Sequence, residues 1–278
     1  MSTPPNHERG AEPVPTERLR VAVWKFASCD GCQLQILSAV GRRPALLGRI
    51  DFVQFLEASS HVEPGPYDVG IVEGSVSTPQ DVIRIHEVRR QCRFLLTIGA
   101  CATSGGIQAL RNWGRVDDFL GAVYASPATI ESLATSTGIA EHVPVDFELR
   151  GCPVDTAQLG EILEALALGR KPRVPSTSVC AECKAAGVVC VAVTRDIPCL
   201  GPVTQAGCGA LCPAHGRECF GCFGPAETTN LPALSARYEA SGTPPARLAT
   251  LVRGICGWAP AFRAEVDRLA AAPGKPAP

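Results

Sequence analysis

Fourteen cysteines are the residues of this chain whose type and spacing could do chemistry. Eight of them fall between residues 180 and 222, in the run C-x2-C-x6-C-x8-C-x8-C-x3-C-P-x5-C-x2-C, which divides into two consecutive groups of four. Four more stand in three short motifs, "SCDGC" (Cys29, Cys32), "GACA" (Cys101) and "GCP" (Cys152). Thiolates bind zinc or iron-sulfur clusters, and in a reducing compartment clustered cysteines are poor candidates for structural disulfides. Metal binding or redox chemistry is the leading explanation.

Composition narrows the remaining classes. The chain has 278 residues, 46% hydrophobic and 19% charged, which is ordinary for a protein that buries a core. A net charge of -1 gives no global field for nucleic acid or an anionic membrane. Residues 1–18 are rich in Pro and charge and read as a disordered lead-in without a secretory signal. No apolar run approaches the roughly 18 to 20 residues needed to cross a bilayer. The expectation is a cytoplasmic protein that binds neither nucleic acid nor membrane.

The elements that must position these thiols follow from periodicity. "LRVAVWKFAS", "DFVQFLEAS", "YDVGIVEGSV", "RFLLTIGAC" and "DFELRGC" read as strands, with helical patterns at "QLQILSAV", "QDVIRIHEVRRQC" and "VDTAQLGEILEALALG". Strands separated by helices predict a doubly wound α/β domain with a mainly parallel sheet over residues 19–172. Residues 173–230, dense in Cys, Gly and Pro, are too thin to bury an ordinary core and predict a small domain held by what its cysteines bind. Residues 231–278 read as a tail with one short helix at "PAFRAEVDRLAAA".

Cys29, Cys32, Cys101 and Cys152 each follow a predicted strand. Ligands of open α/β sheets bind outside the carboxyl ends of the strands, so four thiols from distant loops can meet there. Gly31, Gly99 and Gly151 beside them let the backbone approach a bulky group. Simpler readings exist: Cys101 and Cys152 as small buried hydrophobes, or Cys29 and Cys32 as a thioredoxin-like pair. For the later eight, two structural zincs compete with two 4Fe-4S clusters. The Cys212-Pro213 step, also present at Cys152-Pro153, and the Gly-rich spacers favour clusters. A row of clusters carries single electrons, and the chain has no Rossmann fingerprint or P-loop, so it should work beside a catalytic partner.

"CDGCQLQIL", "EGSVST", "GACATSGGIQ", "GCPVD", "VCAECK", "PCLGPVTQAGCGALCP" and "CFGC", in this order, resemble the small subunit of a cytoplasmic nickel-iron hydrogenase, of the sulfhydrogenase delta-subunit type found in NAD(P)-linked multi-subunit enzymes. The resemblance implies a flavodoxin-like domain followed by a small ferredoxin-like, cysteine-rich iron-sulfur domain. It implies a proximal 4Fe-4S cluster on Cys29, Cys32, Cys101 and Cys152, beside the nickel-iron site of a large subunit. Chain order assigns Cys180, Cys183, Cys190 and Cys199 to a distal cluster and Cys208, Cys212, Cys219 and Cys222 to a medial one. The implied function is electron transfer through three 4Fe-4S clusters between the nickel-iron site and a flavin and NAD(P)-binding diaphorase module with iron-sulfur subunits of its own. The alternatives are a quinone-reductase subunit like that of complex I, or a zinc-stabilised scaffold.

Many relatives have a His and a Pro where Cys180 and Cys212 stand, so all-cysteine clusters are expected here. Oxygen-tolerant relatives carry two further cysteines at positions matching Gly31 and Gly106, and their modified proximal cluster is not implied. Arg42-Arg43 lies inside the domain and is no export signal. No catalytic residue is expected on this chain. Glu73 in "EGSV" either faces the proximal cluster or subunit interface, or caps a helix. Cys92 reads as packing, Cys256 has no assigned role, and His61 and His86 read as surface or packing residues.

Overall fold

Near-continuous burial marks the central strands. On β1 (Leu19–Lys25) Val21, Ala22 and Val23 are buried, and on β3 (Tyr67–Glu73) every residue from Val69 to Glu73 is buried, as expected of parallel strands covered on both faces. The structure is a computed structural model that describes residues 18–271. Residues 1–17 of the expected lead-in and the end of the chain beyond 271 lie outside the described residues.

Chain order runs β1, α1 (Gly31–Arg42), β2 (Ile50–Phe55), β3, α2 (Pro79–Gln91), β4 (Cys92–Ile98), α3 (Gly99–Ser104), α4 (Val116–Val123), β5 (Phe147–Leu149) and α5 (Thr156–Ala167). The strands form one sheet in the order β2-β1-β3-β4-β5, with every pairing parallel. This is the flavodoxin-like order of a doubly wound α/β fold, whose direction of winding reverses between β1 and β3. Ile36 and Ala39 of α1 and Leu159, Ile162 and Leu163 of α5 close one face of the sheet. Ile85 and Val88 of α2, with Ile139 and Val143, close the other. Helix α2 begins at a capping box in which Thr78 and Asp81 satisfy each other's backbone N–H groups. Each element predicted from periodicity forms at its expected place.

The cysteine-rich segment contains only short helices, α6 (Val179–Ala185), α7 (Val191–Thr194) and α8 (Leu211–Ala214), joined by glycine-rich turns. After it come α9 (Leu231–Ala240), α10 (Pro245–Val252) and α11 (Pro260–Ala271). The sequence suggests one helix in this tail, and the structure has three over 231–271. The first two are short, are interrupted near "SGTPP", and start with prolines in their first turn, so no long apolar period announces them. Their packing changes how the cysteine-rich segment is held. Leu231, Val252, Phe262 and Val266 of the tail form a core with Leu200 and Val203 of that segment and Ala100 of α3. Tyr238 of α9 clamps Cys199, its hydroxyl donating to the Cys199 carbonyl at 3.0 Å and accepting the Cys199 N–H at 2.9 Å. The segment's own core is small, with Val179 and Val191 packed against Cys199, Ala210 and Cys219, and the tail adds to its apolar support.

Candidate metal centres

The end of β1 leads into the C-x-x-C loop at the point where the winding reverses. Asp30, in the middle of that loop, adopts a left-handed conformation with φ of 65°. Its carboxylate accepts from Lys25 Nζ at 2.5 Å and from Gln33 Nε2 at 3.1 Å, which fixes an otherwise unfavourable backbone. Helix α1 then starts, with Cys32 in its first turn. At the end of the neighbouring strand Glu73 is buried and turned inward: Oε1 accepts the Cys32 N–H at 3.0 Å and Oε2 accepts the Ser28 hydroxyl at 3.2 Å. Glu73 thus satisfies a free N–H at the start of α1 from across the sheet. Burial pushes its carboxyl above the usual range, against the lowering effect of the Cys32 N–H.

The loops after β4 and β5 close on the same point. Gly99 follows β4 with φ of +87°, and a Cβ there would lie 2.5 Å from Cys32 Sγ and 3.7 Å from the Gly151 carbonyl. The Ala100 N–H donates to that carbonyl at 2.8 Å, tying the Cys101 loop to the Cys152 loop. Gln108 braces the group, donating to the Ala27 carbonyl at 2.8 Å while Cys101 Sγ donates to its Oε1 at 3.3 Å. A Cβ on Gly31 would stand 3.4 Å from Cys29 Sγ, and one on Gly106 2.5 Å from Cys101 Sγ. Both glycines are close against the thiols, with no room at Gly106 for a further cysteine.

Burial raises the Cys32 and Cys152 thiols, and pushes Cys101 up to about 11, with each sulfur's neighbours adding to the effect. Cys101 is raised by charge on Cys152, Cys29 and Glu73, and Cys152 by charge on Cys29, so the four thiols share one electrostatic site. Neutral thiols crowded in this way become ligands only when a cationic centre displaces their protons.

The later eight cysteines lie near one another in the cysteine-rich segment. Cys180 is pushed up to about 11 by burial and then by charge on Cys199, Cys183 and Cys190. Cys180 Sγ and Cys199 Sγ lie 3.4 and 3.5 Å from the position of a Gly201 Cβ. Cys222 is pushed up to about 12 by burial and then by charge on Cys256, Cys208, Cys152 and Cys212. Burial pushes Cys219 up to about 12, with charge on Cys199 ahead of charge on Cys222, and its N–H donates to Cys199 Sγ at 3.2 Å, so Cys219 is coupled to both runs of four. Cys222 is thus coupled to Cys152 as well as to Cys208 and Cys212, and Cys183 to Cys208 as well as to Cys199 and Cys190. Among the described residues no three His, Cys, Asp or Glu side chains are gathered tightly enough to hold a single metal ion.

Cys256 is buried beside these groups, its thiol donating to the Cys222 carbonyl at 3.4 Å. Burial pushes it up to about 12. Cys92 opens β4 beneath Gly70, where a Cβ would come within 2.3 Å of its sulfur, so it is a packing residue with no space around it. His61 is exposed and paired with Glu63 at 3.0 Å, and His86 is exposed on α2, both away from the thiols. Gln108, Tyr238 and Glu182, all in contact with cysteine loops, carry no signal in the sequence beyond their neighbours.

If Glu73 acts by holding the loop, Glu73→Ala should cost about 1–3 kcal/mol by leaving a buried N–H unpaired. Glu73→Gln keeps an acceptor and should stay within about 1 kcal/mol of the parent. Thermal unfolding of the two variants checks this difference.

A profile of the family described as NADH ubiquinone oxidoreductase, 20 Kd subunit, matches residues 29–166. The chain is 33% identical over 216 residues to Sulfhydrogenase 2 subunit delta of Pyrococcus furiosus, covering 78% of this chain and 90% of that one. It is 28% identical over 175 residues to NAD-reducing hydrogenase HoxS subunit delta of Cupriavidus necator, covering 58% of this chain and 84% of that one. A solved structure of an NAD+-reducing NiFe-hydrogenase in the H2-reduced state matches with a TM-score of 0.52 at 29% identity, covering 57% of this chain and 96% of that chain.

Proposed function

Since the chain belongs to the small subunits of nickel-iron hydrogenases, of the sulfhydrogenase delta type, we propose that it is the electron-transfer subunit of a cytoplasmic, NAD(P)-linked enzyme whose nickel-iron site lies on a partner large subunit. In this reading Cys29, Cys32, Cys101 and Cys152 hold a proximal 4Fe-4S cluster, Cys208, Cys212, Cys219 and Cys222 a medial one, and Cys180, Cys183, Cys190 and Cys199 a distal one. Such clusters, when bound, supply one-electron carriage at potentials set by hydrogen bonds to sulfur, net charge and exposure. The other partners are flavin and NAD(P)-binding diaphorase subunits.

The observation that carries the reading is the convergence of four thiols from three loops at the reversal point of the sheet, with Cys29 and Cys152 exposed at its edge. The donor set fits a cluster: all-thiol ligation, and glycines that leave no side chain between backbone and sulfur. The coupling of Cys222 to Cys208 and Cys212 and also to Cys152 supports the medial assignment of the last four. Cys190 is exposed, which suits a distal exit.

The chain's own residues have three tasks. Asp30, Glu73 and Gln108 hold the proximal loops in register. Tyr238 fixes Cys199, and the tail's apolar side chains pack Leu200 and Val203 of the cysteine-rich segment against Ala100 of α3. The quinone-reductase alternative draws on the profile match, which ends at residue 166. A match spanning 78% of the chain to a sulfhydrogenase subunit must extend into the cysteine-rich segment, and it favours the hydrogenase reading. Among the described residues no helix is long and apolar enough to cross a membrane. The test is co-purification: the tagged chain should bring down a nickel-containing large subunit and flavin, and the complex should reduce NAD(P) with H2. Recovery of the intact complex with quinone reduction and no nickel would favour the alternative.

A further inference from the structure

Glu182 sits in the middle of the Cys180-Ala-Glu-Cys183 step on α6, yet its carboxylate serves the other group of four. Oε1 accepts the Gly207 N–H at 2.9 Å and the Gly209 N–H at 3.1 Å. Oε2 accepts the Ala210 N–H at 3.2 Å and lies 3.9 Å from Cys208 Sγ. The backbone is shaped for this: φ is +140° at Gly207, +64° at Gly209 and +54° at Ala210. Successive amides turned to one side make a concave anion-binding arrangement, and here the anion is a side chain of the same protein. Ala210 is fully buried and is one of few non-glycine residues in the left-handed region. Such a conformation persists where its surroundings over-determine it, and the carboxylate across three amides does so.

The contact joins the two cysteine groups, as does the Cys219 N–H on Cys199 Sγ at 3.2 Å. Cys183, the residue after Glu182, is raised by burial and then by charge on Cys199, Cys190, Cys208 and Glu182. A negative charge fixed beside Cys208 opposes addition of an electron to whatever that thiolate holds, because reduction adds negative charge at the same place.

We propose that Glu182 is a positioning residue that clasps the Cys208 loop to the C-x-x-C helix of the other set, and that its charge holds down the reduction potential of the cluster bound through Cys208. The inference rests on the cluster reading above and adds a determinant to it. It is tested on the purified complex. Glu182→Gln preserves shape and one acceptor oxygen while removing the charge, and Glu182→Asp preserves the charge.

In a redox titration followed by electron paramagnetic resonance, Glu182→Gln should raise one midpoint by about 59 mV, a tenfold rise in the reduced-to-oxidised ratio at fixed potential for one electron. Glu182→Asp should stay near the parent midpoint. If Glu182→Gln assembles poorly, loss confined to one cluster signal, about four irons per chain, supports the clasp. Three results overturn it: unmoved midpoints with full iron, an equal shift in Glu182→Asp, or loss of every cluster signal at once. The parent complex is analysed first. Absence of acid-labile sulfide there defeats the cluster reading itself and is distinct from any result on the variants.

Discussion

Exchanging Cys29 for serine is expected to lower H2-dependent NAD(P) reduction by the whole complex at least about 100-fold, the upper end of what changes to a metal's outer partners cost. Cys29 is exposed at the edge of the site, and its sulfur is in electrostatic contact with Cys101 and Cys152. A serine hydroxyl is nearly isosteric and leaves Asp30 its contacts with Lys25 and Gln33, so the sheet and α1 should remain folded. The loss therefore separates chemistry from stability. Circular dichroism should match the parent, while iron per chain falls and the electron path from the large subunit is cut at its first station. Full activity in the variant would remove Cys29 from the ligand set. The same exchange at Cys92, buried against Gly70 at the opposite end of β4 from Cys101, should leave the electron path intact.

The second large effect is expected at Gly99, where a single methyl group tests the geometry. Gly99→Ala places a Cβ 2.5 Å from Cys32 Sγ at a φ of +87°, which L side chains rarely adopt. The strain alone is worth about 1–3 kcal/mol. Relief must come from moving the Cys32 thiol or the Gly151 loop to which Ala100 is bonded. Because both belong to the proposed proximal site, the expected outcome is loss of about four irons per chain together with a lower melting temperature. Gly48→Ala, in a 3-10 turn where a Cβ meets nothing within 4 Å, is the matched control and should change neither.

Most of the α/β region is legible in the sequence because its signals are local. Runs such as "YDVGIVE" are apolar on both faces, helices α2 and α5 show helical periods, and each cysteine motif of the first set directly follows a strand. The convergence of Cys29, Cys32, Cys101 and Cys152 follows from strand polarity alone, since parallel strands end on the same edge. The family resemblance rests on the same motifs and is matched by the 33% identity to a sulfhydrogenase delta subunit.

What stays hidden depends on contacts between residues far apart in sequence. Glu182 looks like any exposed acid in a C-x-x-C step until the Gly207 to Ala210 backbone folds around it. Tyr238 lies in an Ala-rich stretch with no strong period, and only its meeting with Cys199 gives it a role. The tail reads as one short helix because its apolar residues are sparse. They suffice because they need only complete a core begun by Leu200 and Val203. Cys256 has no motif partner, and its place beside Cys222 is set by the turn between α10 and α11. The sequence leaves Glu73 between two readings, and its bond to the Cys32 N–H shows a carboxylate that holds the start of α1 while lining the site.

The central claim is that twelve of the fourteen cysteines hold three four-iron clusters. The most direct measurement is iron, zinc and acid-labile sulfide per chain in the anaerobically purified complex, corrected for the metal of its partner subunits by analysis of the same complex lacking this chain. The difference is predicted to be about twelve iron and about twelve sulfide with no stoichiometric zinc. About three zinc and no sulfide would contradict it.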